Sequence, residues 1–158
     1  MSEKSNWCIH TPIGWLKGQS DEKYLHSLTF YDEKPDCSLS LKVNPYAFVL
    51  QNYFEGKNTL NDLTIPWVNE QSFSTKVLKA CSKIPFGKTS SYSEIAENCG
   101  SKGAAQAVGQ ILKNNSLLLL IPCHRVISKN GSLGGFNAGV DRKKWLLKHE
   151  SNLYHFSR

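Results

Sequence analysis

A cysteine with a histidine and an arginine directly behind it is the strongest candidate for chemistry in this sequence. Cys123 follows Pro122 and the apolar run Leu117–Ile121, which is predicted to be a short buried strand. It precedes His124 and Arg125. Nearby positive charge lowers the pKa of a thiol, and a neighbouring base can accept its proton. We therefore predict that Cys123 is a nucleophile, and we interpret the other four cysteines as small buried apolar residues.

The five cysteines show no recognisable disulfide framework or metal site. Their number is odd and no two form a C-x-x-C pair, which argues against a disulfide framework and against an all-cysteine zinc site. Cys8 and His10, with His26 and Cys37 further on, match no standard ligand spacing. We expect neither a metal ion nor another cofactor.

A glycine-rich segment, residues 130–139, follows the cysteine. It lacks the G-x-x-x-x-G-K-[ST] pattern of a phosphate-binding loop, but its glycines would let the main chain approach a planar ligand. Asp141 is predicted to cap a last helix over residues 142–149. The basic residues 142–144 in its first turn oppose the helix dipole, which favours a solvated face or an anionic partner. Glu150 opposes the dipole at the other end, so we expect a separate role for it.

Charge is distributed unevenly along the 158 residues, whose formal net charge is +6. Residues 1–70 carry 6 Lys+Arg and 9 Asp+Glu, whereas residues 71–158 carry 13 and 4. A second half with a net charge of +9 suggests that it faces a polyanion such as nucleic acid. A basic half that is merely soluble is the alternative.

Composition favours a folded intracellular protein. The chain is 40% hydrophobic and 11% aromatic, so it can bury a core. Its longest apolar run, Leu117–Ile121, is far shorter than the ~20 residues of a membrane span. The first residues lead into no apolar signal segment. We expect no membrane association and a cytoplasmic location, or a nuclear one in a eukaryote.

The elements that must position these residues fall into two halves. Residues 1–70 are read as a supporting α/β domain, including a polar linker at 57–70. Asn44 and Pro45 are typical of an N-cap and a first helical position, and the helix continues from Tyr46 to Phe54. Alternating β-forming residues predict a strand over 24–31. The short, mixed segments 7–11 and 14–18 are read as further strands, and 38–43 fits another.

Residues 71–158 are read as a mainly helical domain. Apolar spacing predicts a helix over 72–83, and a capping box of Ser91 and Glu94 opens a short helix. A tight glycine turn leads to a second helix over 103–113. This pair is a helix-turn-helix candidate, although many helical hairpins bind nothing. Small residues in the first turn would allow close approach of another element or of a phosphate backbone: Gly103, Ala104 and Ala105.

The residues around Cys123 resemble a known active-site signature. The run Ile121-Pro122-Cys123-His124-Arg125-Val126-Ile127 is similar to that of the O6-alkylguanine-DNA alkyltransferases, the methylated-DNA–protein-cysteine methyltransferases. The first half matches only loosely, through residues 11–14 and 53–56. Further matches occur in the same order over residues 71–158: 84–89, Ser91-Tyr92, Ile95-Ala96, Ala104-Ala105, 107–109, Asn115 and 146–150.

The resemblance implies an α+β fold of two small domains. The N-terminal domain would be a ribonuclease-H-like antiparallel sheet with a helix, and the C-terminal one a winged-helix-like domain with a helix-turn-helix. It further implies a monomer that binds double-stranded DNA carrying O6-alkylguanine from the minor groove and flips the base out. The alkyl group would move irreversibly onto the protein's own cysteine. O4-alkylthymine as a second substrate is left open.

The resemblance also assigns roles residue by residue. Cys123 would be the nucleophile, His124 would take its proton through a water, and Glu150 would orient His124. Tyr92 would protonate or hydrogen-bond N3 of the leaving guanine. Asn115 would fix the active-site turn.

Two further groups of residues are assigned in the same way. Main-chain groups around Val126 and Asn137 would read the guanine edge, and Phe136, where the family often has tyrosine, keeps a stacking surface. Residues expected to contact DNA are Ala104, Ala105, Gln106, Gly109 and Arg125.

Gln106 and Ser116 depart from the family pattern. The family usually has arginine at the position of Gln106, where it fills the gap left by the flipped base, so we expect weaker flipping and DNA affinity here. Ser116 replaces a frequent proline, which is expected to loosen the turn after Asn115.

The sequence leaves open two alternatives from other functional classes. A cysteine hydrolase using Cys123, His124 and Glu150 would turn over repeatedly. An alkyltransferase-like protein would bind the lesion without repairing it, but such proteins lack the reactive cysteine that this chain keeps. The number of alkyl groups accepted per protein separates the three functions.

Overall fold

The computed structural model describes residues 3–37, 44–57 and 60–156, so the strand expected at 38–43 lies outside the described residues. The chain divides into two compact units. The first contains Met1–Pro66 and Ser116–Leu120, and the second contains Trp67–Asn115 and Ile121–Arg158. The sequence analysis predicts that the whole of 71–158 belongs to one domain. In the structure, residues 116–120 belong to the first unit.

The first unit is an antiparallel sheet with one helix, as expected. Its elements are β1 (Ser5–Thr11), β2 (Gly14–Ser20), β3 (Leu25–Tyr31) and α1 (Pro45–Phe54), with sheet order β1-β2-β3. Asn44 caps α1 because its side chain accepts hydrogen bonds from the main-chain N–H groups of Tyr46 and Ala47. Alternate strand residues such as Leu16 and Leu28 are fully buried, which fixes the register of the sheet.

The apolar run Leu117–Ile121 is not a strand, which corrects the sequence interpretation. The run is buried, but Leu119 has a φ of 75°, a left-handed conformation that interrupts an extended chain. Main-chain bonds join Leu28 N–H to Ser116 O (2.8 Å) and Leu118 N–H to Leu28 O (3.1 Å). This short parallel bridge beside β3 explains why 116–120 groups with the first unit.

Cys8 and Cys37 form a disulfide, which corrects the expectation that the cysteines do not pair. The two residues are 29 positions apart in the sequence, and the fold brings their Cα atoms to 6.4 Å. Cys81, Cys99 and Cys123 are free thiols. Within the described ranges, no three His, Cys, Asp or Glu side chains are grouped so that they could hold a metal ion.

The second unit is mainly helical, as expected. It contains α2 (Phe73–Ser82), β4 (Ser90–Ser91), α3 (Tyr92–Asn98), α4 (Ala105–Lys113), a 3-10 turn (Cys123–Arg125), β5 (Val126–Ile127) and α5 (Val140–Phe156). Strand β4 pairs in parallel with β5. None of the helices in the described part of the chain is long and apolar enough to cross a membrane.

The helix N-termini in this unit agree with those predicted from the sequence, except for two details of capping. The Ser91 hydroxyl accepts from the Glu94 main-chain N–H (3.1 Å), as predicted, but the Glu94 carboxylate accepts from Ser90 Oγ (2.9 Å). Helix α5 begins at Val140, so Asp141 lies in its first turn and is not its cap. The pair α3 and α4 forms the predicted helical hairpin, and its glycine turn includes Gly103 at a φ of 93°.

Candidate active site

Cys123 begins a tight 3-10 turn at the wall of a cavity. Its main-chain N–H bonds to Ile121 O (2.7 Å), and the Arg125 N–H bonds to Pro122 O (2.9 Å). The following residue, Val126, is held in β5 by its pairing with β4. The cavity has a volume of about 590 Å³, and Cys123 lines it although only 5% of the residue is exposed to solvent. A ligand must therefore enter the cavity to reach the thiol.

Asn115 holds both sides of this turn. Its side-chain Nδ2 donates to Ile121 O (2.9 Å) and to Cys123 Sγ (3.3 Å). Burial raises the pKa of the Cys123 thiol, while the Asn115 hydrogen bond and the charge of Lys143 act in the opposite direction. Burial outweighs these two contributions, so the pKa of the thiol in the free protein lies above its ordinary value, whereas the sequence suggested a lowered one.

His124 is the candidate base for the Cys123 thiol. Its Nε2 lies 2.8 Å from Glu150 Oε2, so Nε2 donates to the carboxylate and Nδ1 presents a lone pair. Among the described buried side-chain nitrogen and oxygen atoms, Nδ1 of His124 is the one without a hydrogen-bond partner. Burial lowers the pKa of His124 despite the adjacent Glu150, so the imidazole is neutral and can accept a proton.

Arg125, which is predicted from the sequence to contact DNA, is turned into the protein, which argues against that contact. Its guanidinium is buried and donates to Glu150 Oε1 from Nε (2.7 Å), to Glu150 Oε2 from Nη2 (3.0 Å) and to Ile84 O from Nη1 (2.8 Å). Burial alone would raise the pKa of Glu150, but His124 and Arg125 hold it well below its ordinary value. The carboxylate therefore stays ionised beside the imidazole.

The cavity brings together many of the predicted site residues and leaves others outside. Ala104, the N-cap of α4, and Asn137, which is exposed, do not line it. Val126 is fully buried, and its carbonyl oxygen accepts a hydrogen bond from Lys143. The predicted residues that do line the cavity are Tyr92, Ala105, Gln106, Gly109, Cys123 and Phe136.

Lys143 is the polar residue at this site whose role the sequence did not reveal. The sequence placed it in a solvated or anion-binding first turn, yet it is fully buried. Its ammonium donates to Val126 O (2.6 Å), Gly135 O (3.1 Å) and Tyr92 Oη (3.4 Å). The only available signal was a basic residue that opposes the dipole at a helix N-terminus.

Comparison with known proteins identifies the family. Residues 72–152 match the family model described as 6-O-methylguanine DNA methyltransferase, DNA binding domain. The methylated-DNA–protein-cysteine methyltransferase of Metallosphaera sedula is 45% identical over 149 residues, which cover 90% of this chain and 90% of that protein. The chain belongs to the methylated-DNA–protein-cysteine methyltransferase family.

Other members of the family are similar in sequence and in structure. The methylated-DNA–protein-cysteine methyltransferase of Mycobacterium bovis is 41% identical over 150 residues, covering 91% of this chain and 90% of that protein. The O6-methylguanine methyltransferase of Mycobacterium tuberculosis matches with a TM-score of 0.76 and 31% identity, covering 95% of this chain and 94% of that one. A crystal structure of Mycobacterium tuberculosis OGT in complex with DNA matches with the same TM-score over 94% of this chain and 93% of that chain.

Proposed function

We propose that this protein repairs alkylated DNA by moving the alkyl group from O6 of guanine to Cys123. The observation that carries the proposal is the buried chain of contacts from Arg125 through Glu150 to His124, in the same turn as a thiol at a cavity wall. Family membership supports the same chemistry, because curated relatives carry the name methylated-DNA–protein-cysteine methyltransferase.

The proposed reaction is a displacement at the alkyl carbon. The Cys123 thiol gives its proton to Nδ1 of His124, directly or through a water, and Glu150 stabilises the resulting imidazolium. The thiolate attacks, so that a sulfur–carbon bond forms while the carbon–O6 bond breaks and its electron pair stays on guanine. Tyr92 stabilises the charge on guanine through N3. Guanine takes up one proton and leaves as the neutral base, which balances the proton that the thiol lost. The alkylated Cys123 cannot react again, so each protein acts once.

DNA is the partner of this chain, and we propose that the damaged nucleotide leaves the stack to enter the cavity. A base inside a duplex cannot reach a thiol that is 5% exposed, so flipping is required. Gln106 and Gly109 on α4 line the cavity, which supports placing α4 in the minor groove. With a net charge of +9 on residues 71–158, binding by a monomer should weaken steeply as salt rises.

Peptide mapping by mass spectrometry tests the acceptor. After incubation with duplex DNA that contains O6-methylguanine, the peptide with Cys123 should gain the mass of one methyl group. The peptides of Cys81 and Cys99, the other free thiols of the described residues, should be unchanged. Cys123→Ala should accept no methyl group yet still bind the modified DNA. A methyl group on another cysteine would refute the assignment of Cys123.

A further inference from the structure

Leu119 has an unusual backbone conformation inside the protein, four residues before the reactive cysteine. Its φ is 75°, and only 1% of the residue is exposed. Residues other than glycine rarely adopt this left-handed conformation, and those that do are mostly asparagine, aspartate or histidine. Among the described residues, the other non-glycine residue with a positive φ is an asparagine, Asn69. A buried leucine keeps such a backbone only where the surrounding structure holds it there.

Main-chain bonds to β3 hold the chain immediately before Leu119. The N–H of Leu28 donates to Ser116 O (2.8 Å), and the N–H of Leu118 donates to Leu28 O (3.1 Å). Leu118 is as buried as Leu119, and its φ is not positive. The direction in which the chain reaches Leu119 is therefore fixed by β3, and the left-handed residue determines the direction in which it continues.

The chain after Leu119 must bring two atoms to the side chain of Asn115. Asn115 Nδ2 donates to Ile121 O (2.9 Å) and to Cys123 Sγ (3.3 Å). The bond to sulfur favours the thiolate, because it lowers the pKa of Cys123 against the effect of burial. A change of Leu119 to an extended backbone would rotate φ by more than about 100° and turn the following residues away. Both bonds of Asn115 therefore depend on the conformation of Leu119.

We propose that Leu119 is a positioning residue for the proposed alkyl transfer, whose left-handed backbone aims Ile121 O and Cys123 Sγ at Asn115. The inference rests on the proposed function, since it names a residue that prepares the nucleophile of that reaction. The buried leucine side chain stabilises a backbone that an L-residue would otherwise leave. Leu119 thus acts on Cys123 through the three residues that connect them and through Asn115.

Two substitutions at Leu119 separate the backbone from the side chain. Leu119→Ala and Leu119→Gly both remove the buried side chain, but glycine adopts a positive φ without steric cost. Alanine populates it about tenfold less and has lost the packing that held leucine there, so its backbone should relax. Leu118→Ala and Leu118→Gly are the matched controls, because Leu118 is equally buried without a positive φ.

The rate at which iodoacetamide alkylates Cys123 measures the thiolate directly and needs no DNA. Peptide mapping follows Cys123 alone in the full-length protein between about pH 7 and about pH 11. The titratable groups around Cys123 are the same in all five proteins, so a shifted profile reports the Asn115 bond: Lys143 on α5, Cys81 on α2, Tyr92 on α3 and His124 in the 3-10 turn.

The profile of Leu119→Gly should match that of the wild type. In Leu119→Ala, the profile should shift to higher pH, because the thiolate loses a hydrogen-bond donor. Methyl transfer from duplex DNA should be at least about tenfold slower in Leu119→Ala and within about twofold of wild type in Leu119→Gly. Neither Leu118 variant should shift the profile. Partial unfolding, measured with urea, would reduce stability in all four variants and would not single out Leu119→Ala.

A Leu119→Ala profile that coincides with the wild type, or a Leu119→Gly profile shifted as far as that of alanine, would overturn the proposal. If Leu119→Ala does not fold, Leu119→Gly still decides, because a shifted glycine profile shows that the side chain and not the backbone positions Cys123. Absence of methyl transfer by the wild type would refute the proposed function instead, and the iodoacetamide profiles would still test the role of Leu119.

Discussion

Arg125 and Glu150 form a buried bidentate ion pair, with Nε 2.7 Å from Oε1 and Nη2 3.0 Å from Oε2. The second oxygen, Oε2, also accepts from His124 Nε2. The arginine of the signature thus acts inside the protein: it keeps Glu150 ionised and aimed at the imidazole, and this fixes which nitrogen of His124 is free to take a proton.

Arg125→Met should therefore lower stability and leave the electrostatics of DNA binding unchanged. Removing one partner of a buried pair leaves the other charge unpaired, which typically costs about 3–5 kcal/mol. Urea unfolding measures the free energy of unfolding, with Lys129→Met as an exposed control that loses the same charge. The salt dependence of DNA affinity should keep its slope in Arg125→Met. A shallower slope with unchanged stability would restore Arg125 as a DNA contact.

The second unit should lose stability as pH falls. Burial holds the pKa of His124 below its ordinary value of 6.5. Below pH 6.5 the imidazole is therefore protonated in the unfolded chain but stays neutral in the folded protein, and this lowers the free energy of unfolding. Below about pH 4.5 the same holds for Glu150, whose pKa is also lowered in the folded protein. Unfolding free energies measured across this range should decrease in two stages, and His124→Gln should remove the upper one. A stability that is constant from pH 7 to 5 would contradict the buried neutral imidazole.

Gln106→Arg should accelerate repair of duplex DNA by a few-fold. Gln106 is exposed on α4 at the edge of the cavity, and an arginine there adds a charge in the minor groove. One exposed charge contact is worth about 1 kcal/mol, or about fivefold. Free O6-benzylguanine needs no flipping, so its rate should barely change.

Gln110→Arg is the matched control for this prediction, since Gln110 is also exposed on α4 but does not line the cavity. It adds the same charge and should improve affinity without the same gain in rate. Equal acceleration of duplex DNA and the free base by Gln106→Arg would mean that position 106 acts on the thiol. A slower reaction of Gln106→Arg with duplex DNA would contradict the prediction and would mean that glutamine promotes the duplex reaction better than arginine at this position.

Gly134→Ala should slow alkyl transfer by displacing Tyr92. A Cβ at this position would lie 2.7 Å from Tyr92 Oη, closer than such atoms approach, so the tyrosine must move. Gly131→Ala is the control, because Gly131 also has a positive φ but open space around its Cβ position. The rate should fall at least about tenfold in the first variant and stay near wild type in the second. Equal rates in the two variants would show that the Tyr92 position is not critical.

Local signals predicted much of the fold. Asn44 before Pro45 and Ser91 before Glu94 identified two helix starts, because a capping side chain and the N–H group it binds are only two or three residues apart. The thiol, base and orienting carboxylate could be named through the family signature. The pairing of Glu150 with His124 spans 26 residues, and composition alone would not have revealed it.

What the sequence did not predict depends on long-range packing. A run of five apolar residues predicts a strand, but only the fold shows that Leu119 takes a left-handed conformation. The sequence predicts that Lys143 and Arg125 lie at the surface. Nothing in their local sequence shows that Lys143 bonds to Val126 O, or Arg125 to Glu150, inside the protein. The Cys8–Cys37 disulfide depends on the fold, which brings Cys37 close to Cys8 in β1, and the spacing of the cysteines does not encode this.

The stoichiometry of transfer tests the central claim most directly. Increasing amounts of duplex DNA with a labelled methyl group on O6 of guanine are incubated with a fixed amount of protein, and the protein-bound label is counted. The proposed chemistry predicts a plateau at one methyl group per protein, with none bound to Cys123→Ala. Continued loss of methyl groups from DNA beyond that equivalence would indicate a hydrolase. Lesion binding with no label on the protein would indicate a non-catalytic sensor, and either result would contradict transfer to Cys123.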